Sequence, residues 1–215
     1  MSLTPCEAGQ ELRRICSMAP VVPVLVIDDA KIARPLAEAL VAGGLFALEV
    51  TFRTPAALDA IRAMCDVPGS IVGAGTLTSP DDVRRAQQAG ARFGVSPGAT
   101  DALLDACEAD GLPFLPGAST ASETMRLVER GYDMLKFFPA EASGGVSFLK
   151  SIGGPLPGVT FCPTGGISPT NAQDYLVLDN VVCVGGSWLA PRDLVASEKW
   201  DDVAELARLA SKLNS

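Results

Sequence analysis

A lysine inside an apolar run is the first residue of this chain that could do chemistry. In "DMLKFFPAEASGG" Lys136 stands between Leu135 and Phe137, where an ammonium needs a partner, a route to water or a catalytic task. A second pair of candidates lies in "LFALEVTFRT". There Phe46, Leu48, Val50 and Phe52 form one face of an extended segment, and Ala47, Glu49, Thr51 and Arg53 form the other. By the same alternation Met134, Lys136 and Phe138 share a face opposite Leu135 and Phe137. Apolar surroundings disfavour the charged form of an amine, and a neutral amine attacks ketones to form a Schiff base. Glu49 would then supply an acid and base, and Arg53 a fork for a substrate carboxylate. Plainer readings stand beside these: a Glu–Arg ion pair made for packing, and a strand-end lysine that snorkels to water or pairs with Glu49.

Histidine, the usual base near neutral pH and the usual zinc ligand, is absent, so proton transfer falls to Glu, Asp, Lys, Tyr or Cys. The six cysteines, Cys6, Cys16, Cys65, Cys107, Cys162 and Cys183, include no C-x-x-C pair. That spacing suggests neither a zinc site nor a disulfide framework and fits a reducing cytoplasm; no metal and no other cofactor is expected. A net charge of -8, from 17 basic and 25 acidic residues, makes nucleic acid and anionic membranes poor partners. The apolar stretch "APVVPVLVI" falls far short of the roughly 20 residues of a membrane span. Glu7 and Glu11 interrupt the region where a signal peptide needs an apolar core.

Short apolar, β-branched runs begin near Val21, Leu45, Ser70, Ala91, Pro113, Met134, Val159 and Val181. Between them lie segments of helical period such as "PAALDAIRAMCDV" and "TASETMRLVERG". Capping residues are expected at Ser79, Thr100, Ser122 and Ser168, and glycine stops at Gly43, Gly90, Gly111 and Gly131. Eight strand–helix units in one α/β domain of 215 residues most simply form a (β/α)8 TIM barrel, with a doubly wound open sheet as the runner-up. The predicted division is an extra N-terminal helix in 1–19, the barrel in 20–197 and a C-terminal helix in 198–215.

"FCPTGGIS" and "VCVGGSWL" follow the seventh and eighth strands, whose loops are the common phosphate site of such barrels. Their glycine pairs let backbone N–H groups approach an anion, with Ser187 as a further donor; two tight turns are the alternative. Neither stretch fits a nucleotide-binding fingerprint. "GAGT", residues 73–76, either brings a ligand close to the backbone before the Thr76 hydroxyl or is a strand-end bend. Cys162 and Cys183 read as small buried thiols.

Together "VVPVLVI", "LEVTFRT", "IVGAGT", "SPG", "FFPAEASGG", "FCPTGGISP" and "GGSWL" resemble the 2-keto-3-deoxy-6-phosphogluconate (KDPG) and 4-hydroxy-2-oxoglutarate (KHG) aldolase family over nearly the whole chain. The resemblance implies a cofactor-free class I aldolase of the Entner–Doudoroff pathway, a cytoplasmic homotrimer with a barrel fold. Its substrate would be a phosphorylated 2-keto acid, cleaved to pyruvate and glyceraldehyde 3-phosphate, with 4-hydroxy-2-oxoglutarate as a second substrate. It implies Lys136 as the Schiff-base lysine, Glu49 as proton acceptor and donor, and Arg53 and Thr76 on the pyruvate carboxylate. Phosphate would bind around Gly165, Gly166 and Ser187, and Phe138, Thr164 and Gly185 complete the substrate-binding set. Many relatives carry arginine where Val26 stands here, so the anion site has one cation fewer. The competing readings are a phosphogalactonate aldolase, another barrel isomerase or synthase, and a silent binding protein for a phosphorylated metabolite. Lys136 and Glu49 together favour the aldolase.

Overall fold

Helix follows strand along the chain, as the apolar runs predict. The computed structural model describes residues 2–213; Met1, Asn214 and Ser215, at the outer ends of the expected terminal segments, lie outside the described residues. The first half comprises α1 (Pro5–Cys16), β1 (Val21–Leu25), α2 (Ala33–Ala42), β2 (Ala47–Thr51), α3 (Ala57–Cys65), β3 (Ile71–Gly75), α4 (Pro80–Gln88), β4 (Phe93–Val95) and α5 (Asp101–Asp110). The second comprises β5 (Phe114–Leu115), β6 (Gly117–Ala118), α6 (Ala121–Arg130), β7 (Met134–Phe137), α7 (Gly145–Gly153), β8 (Thr160–Pro163), α8 (Ala172–Leu176), β9 (Val184–Gly186), α9 (Arg192–Ala196) and α10 (Trp200–Ala210).

Every strand pairing among the described residues is parallel. One sheet runs β5-β4-β3-β2-β1-β9 and a second runs β6-β7-β8. β5 and β6 are two parts of one expected strand, parted at Pro116, which has no N–H to give a ladder. A parallel bridge between Thr164 and Gly185 links the sheets on their other side. The result is a curled, parallel α/β sheet.

Strand alternation divides the apolar side chains into two layers. Leu48, Val50, Leu135 and Phe137 belong to the layer shared with the helices. Ala47, Met134, Phe93, Leu115, Cys162 and Cys183 form a separate inner cluster, joined by Leu12, Ile15 and Cys16 of α1. α1 can seat there because its start is fixed: Thr4 and Glu7 make a capping box around Pro5.

Ser79 and Asp82 make the same box at α4, Thr100 caps α5, and Gly111 and Gly131 end α5 and α6 in the left-handed region. Two helix starts differ from expectation. α6 is capped by Thr120, which finds Glu123 at the capping-box spacing, so Ser122 is already helical. Ser168 opens a turn instead of a helix, and α8 begins only at Ala172. No helix among the described residues is long and apolar enough to cross a membrane.

Candidate active site

The inward face of β7 passes from Met134 to Lys136, and that of β2 from Ala47 to Glu49. In register, Lys136 lies between Gly117 of β6 and Cys162 of β8, and Glu49 between Val24 of β1 and Gly73 of β3. Small neighbours leave both side chains room to extend inward. They meet there: Lys136 Nζ donates to Glu49 Oε1 at 3.0 Å and to Oε2 at 3.4 Å. With Lys136 5% and Glu49 3% exposed, this is a desolvated pair and not a surface salt bridge. The amine also stands 5.6 Å from the centroid of the Phe138 ring.

Gly75 makes the pairing possible. A Cβ at that position would lie 2.1 Å from Glu49 Oε1 and 2.6 Å from its Cγ. The "GAGT" glycine that reads as room for a ligand is therefore room for the carboxylate. Thr76, next along the chain, is half-buried and sits at φ +62°, a left-handed conformation that a β-branched residue adopts only under constraint.

Strict alternation would carry Arg53 onto the inner face beside Glu49, but β2 ends at Thr51 and the chain turns before Arg53. The Thr51 and Thr54 hydroxyls donate to the Leu25 and Ile27 carbonyls, which ties this turn to the exit of β1. Arg53 is exposed and has no ion pair among the described residues. It lines a cleft of about 660 Å³ together with Val26, Asp28, Ser187, Arg192 and Glu198. Arg53 and Ser187 thus share one opening, whose lining also includes Val24, the residue paired in register with Glu49.

The glycine loop after β8 lies beside the exit of β7. Gly165 and Gly166 have φ of +102° and +79°, open to glycine at little cost. A Cβ on Gly165 would lie 3.3 Å from the Phe138 ring, and one on Gly185 would lie 2.3 Å from Thr164 Oγ1. Phe138, Thr164, Gly165, Gly185 and Lys136 consequently form one connected surface, with Ser187 two residues beyond Gly185. The bridge to Gly185 takes up the Gly165 N–H, whereas the N–H groups of Gly166 and Ile167 find no acceptor among the described residues. Successive free N–H groups in such a turn form a concavity suited to an anion.

Sequence reasoning missed the supports of this loop. Glu141 packs against Gly166, where a Cβ would lie 2.6 Å from Glu141 Cγ, and the Tyr175 hydroxyl donates to the Glu141 carboxylate. Burial, then this contact, raises the Tyr175 pKa well above the ordinary tyrosine value. Asn171 bonds the loop directly, and its distance of five residues from Gly166 in "GGISPTN" was the available signal. Cys162 and Cys183 are both buried, and hydrogen bonding with Cys16 and then Cys162, together with burial, pushes the Cys183 thiol well up.

The family model described as KDPG and KHG aldolase matches residues 12–206. The chain is 56% identical over 197 residues to the 2-dehydro-3-deoxy-phosphogluconate aldolase of Pseudoalteromonas atlantica, covering 91% of this chain and 92% of that one. The 2-keto-3-deoxy-6-phosphogluconate aldolase of Zymomonas mobilis, solved with 3-phosphoglycerate, superposes with a TM-score of 0.91 at 46% identity, covering 96% of this chain and 97% of the other. The KDPG aldolase of Legionella pneumophila, solved with pyruvate as a covalent carbinolamine intermediate, has a TM-score of 0.90 at 44% identity, covering 93% and 98%.

Proposed function

The chain belongs to the KDPG and KHG aldolase family, and on that premise we propose that Lys136 is its Schiff-base lysine and Glu49 its acid and base. The chain is a class I aldolase, a lyase acting on 2-dehydro-3-deoxy-6-phosphogluconate. The observation that carries the residue roles is the buried 3.0 Å contact between Lys136 Nζ and Glu49 Oε1. It gives the amine a proton acceptor at hydrogen-bond distance, away from bulk water.

The neutral Lys136 amine attacks the C2 carbonyl, and the resulting carbinolamine loses water to give an iminium whose nitrogen accepts an electron pair. Glu49 takes the proton of the C4 hydroxyl; the C3–C4 bond breaks, its electrons pass to the iminium, and glyceraldehyde 3-phosphate leaves. The enamine left on Lys136 takes a proton at C3 from Glu49, and water releases pyruvate. One carboxylate serves both steps because they run in sequence. The same centre cleaves 4-hydroxy-2-oxoglutarate to pyruvate and glyoxylate.

Arg53 and Thr76 hold the pyruvate carboxylate in this reading, and Phe138 and Thr164 shape the pocket around the iminium. The phosphate lies on the Gly165–Gly166 loop, toward the free N–H groups of Gly166 and Ile167, with Gly185 and the Ser187 hydroxyl opposite. The two sheets close into a single (β/α)8 barrel domain, supported by the Thr164–Gly185 bridge and by the continuity of β5 with β6. A homotrimer in the cytoplasm is part of the same reading and follows from the family resemblance. Borohydride added with pyruvate should leave a stable pyruvate adduct that peptide mapping finds on Lys136. An adduct on another lysine, or none, removes Lys136 from this role.

A further inference from the structure

Three successive peptide groups in the loop after β8 are held by their carbonyl oxygens. The Thr164 carbonyl accepts from the Ala140 N–H at 2.8 Å, and the Gly165 carbonyl accepts from the Glu141 N–H at 3.1 Å. The Gly166 carbonyl accepts from Asn171 Nδ2 at 3.2 Å. In a trans peptide the N–H points opposite to the C=O of the same unit. Holding these three carbonyls therefore turns the N–H groups of Gly165, Gly166 and Ile167 to the other side of the loop, where Gly165 meets Gly185 in the bridge and Gly166 and Ile167 have no acceptor among the described residues.

Two of the three holds come from backbone that immediately follows the β7 exit. Asn171 is the only side chain among them. Its orientation is unambiguous, because Oδ1 accepts from the Ser168 N–H at 2.8 Å, which leaves Nδ2 for the Gly166 carbonyl. Without that bond, a peptide flanked by a glycine at φ +79° is free to rotate and bring its carbonyl toward the anion.

We infer that Asn171 is a positioning residue for phosphate: without touching substrate, it fixes the Gly166–Ile167 peptide with its N–H toward the anion. This rests on the reading of the Gly165–Gly166 loop as the phosphate subsite. It adds a determinant of preference for phosphorylated over unphosphorylated 2-keto acids.

Two variants separate positioning from a merely structural role. Asn171→Ala loses both bonds, whereas Asn171→Asp keeps the acceptor for the Ser168 N–H and loses the donor to Gly166. Inorganic phosphate titrated into the full-length protein, followed by the Gly165, Gly166 and Ile167 amide resonances, reads the loop without reference to turnover. Both variants should weaken phosphate about tenfold, roughly the loss of one charge-assisted contact. In both, the kcat/KM ratio of 2-dehydro-3-deoxy-6-phosphogluconate to 4-hydroxy-2-oxoglutarate should fall by a similar factor, carried by KM. Wild-type behaviour in either variant overturns the inference, as does failure of phosphate to shift those amides in the wild type. If phosphate binds and depends on Asn171 but the wild type cleaves neither acid, the aldolase reading falls and the positioning role stands.

Discussion

The two ends of the inner space differ along the length of the same strands. At the floor, Val22, Ala47 and Met134 pack with Leu12, Ile15 and Cys16 of α1 in an apolar cluster. Two residues further along β2 and β7 stand Glu49 and Lys136, and just past β8 stands Thr164, all buried polar groups. The floor gains stability through apolar burial. The mouth does the opposite: it holds a desolvated ion pair, a left-handed Thr76 and two glycines at positive φ. A buried pair contributes little net stability because desolvation offsets attraction. Position along a strand, not choice of strand, separates the part that folds the protein from the part that reacts. Variants at the mouth that keep the size and hydrogen bonding of the pair should therefore lose rate with little loss of stability, and variants at the floor should do the reverse.

The largest effect in Glu49→Gln should be on turnover. The amide keeps the size of the side chain and a hydrogen-bond acceptor for Lys136, but it cannot take the C4 hydroxyl proton. kcat should fall about 10²- to 10⁴-fold, the usual worth of a positioned acid–base group. Trapping of pyruvate by borohydride should survive better than turnover. If trapping and turnover fall together, Glu49 holds the site in place and the proton transfers belong to another group.

Gly75→Ala tests whether the mouth depends on geometry as well as chemistry. The new methyl would meet the Glu49 carboxylate at 2.1 Å, so the carboxylate has to move from its place beside Lys136. Displacement on the order of 1 Å costs about 10²-fold in rate. Thermal denaturation should change little by comparison. Full activity in Gly75→Ala would mean that Glu49 works from more than one position.

The same contrast explains what the sequence made legible. Where the backbone stays extended, a period of two assigns faces, and this brought Lys136 to Glu49 and sent Leu135 and Phe137 to the helix layer. The rule lapses where extension ends. Arg53 is two residues past the last residue of β2, so pleat counting, which places it on the inner face of the strand, gives way to a turn on which it stands exposed and lines a cleft with Val24 and Ser187. Gly75 and Asn171 act on residues distant in sequence or through loop carbonyls, and neither periodicity nor composition reports such contacts. Thr120 outcompeted Ser122 as a cap because its Glu123 partner completes a capping box, a pairing that the spacing in "STASE" already contained.

Leu12→Ala tests the floor and should have the smallest effect on catalysis. Leu12 is fully buried, on the face of α1 that also presents Ile15 and Cys16 to the inner cluster. Truncating it removes apolar contact and leaves a cavity that helix and strands can fill only in part, at a cost of about 2–5 kcal/mol. The midpoint of urea unfolding should drop accordingly, with little change in slope. Lys136 and Glu49 lie beyond the inner cluster, on strands joined to their neighbours by their own parallel ladders. At a temperature where the variant stays folded, kcat should therefore remain within about twofold of wild type. A drop in kcat matching that of Gly75→Ala would show that α1 positions the reactive pair, and the separation of floor from mouth would fail.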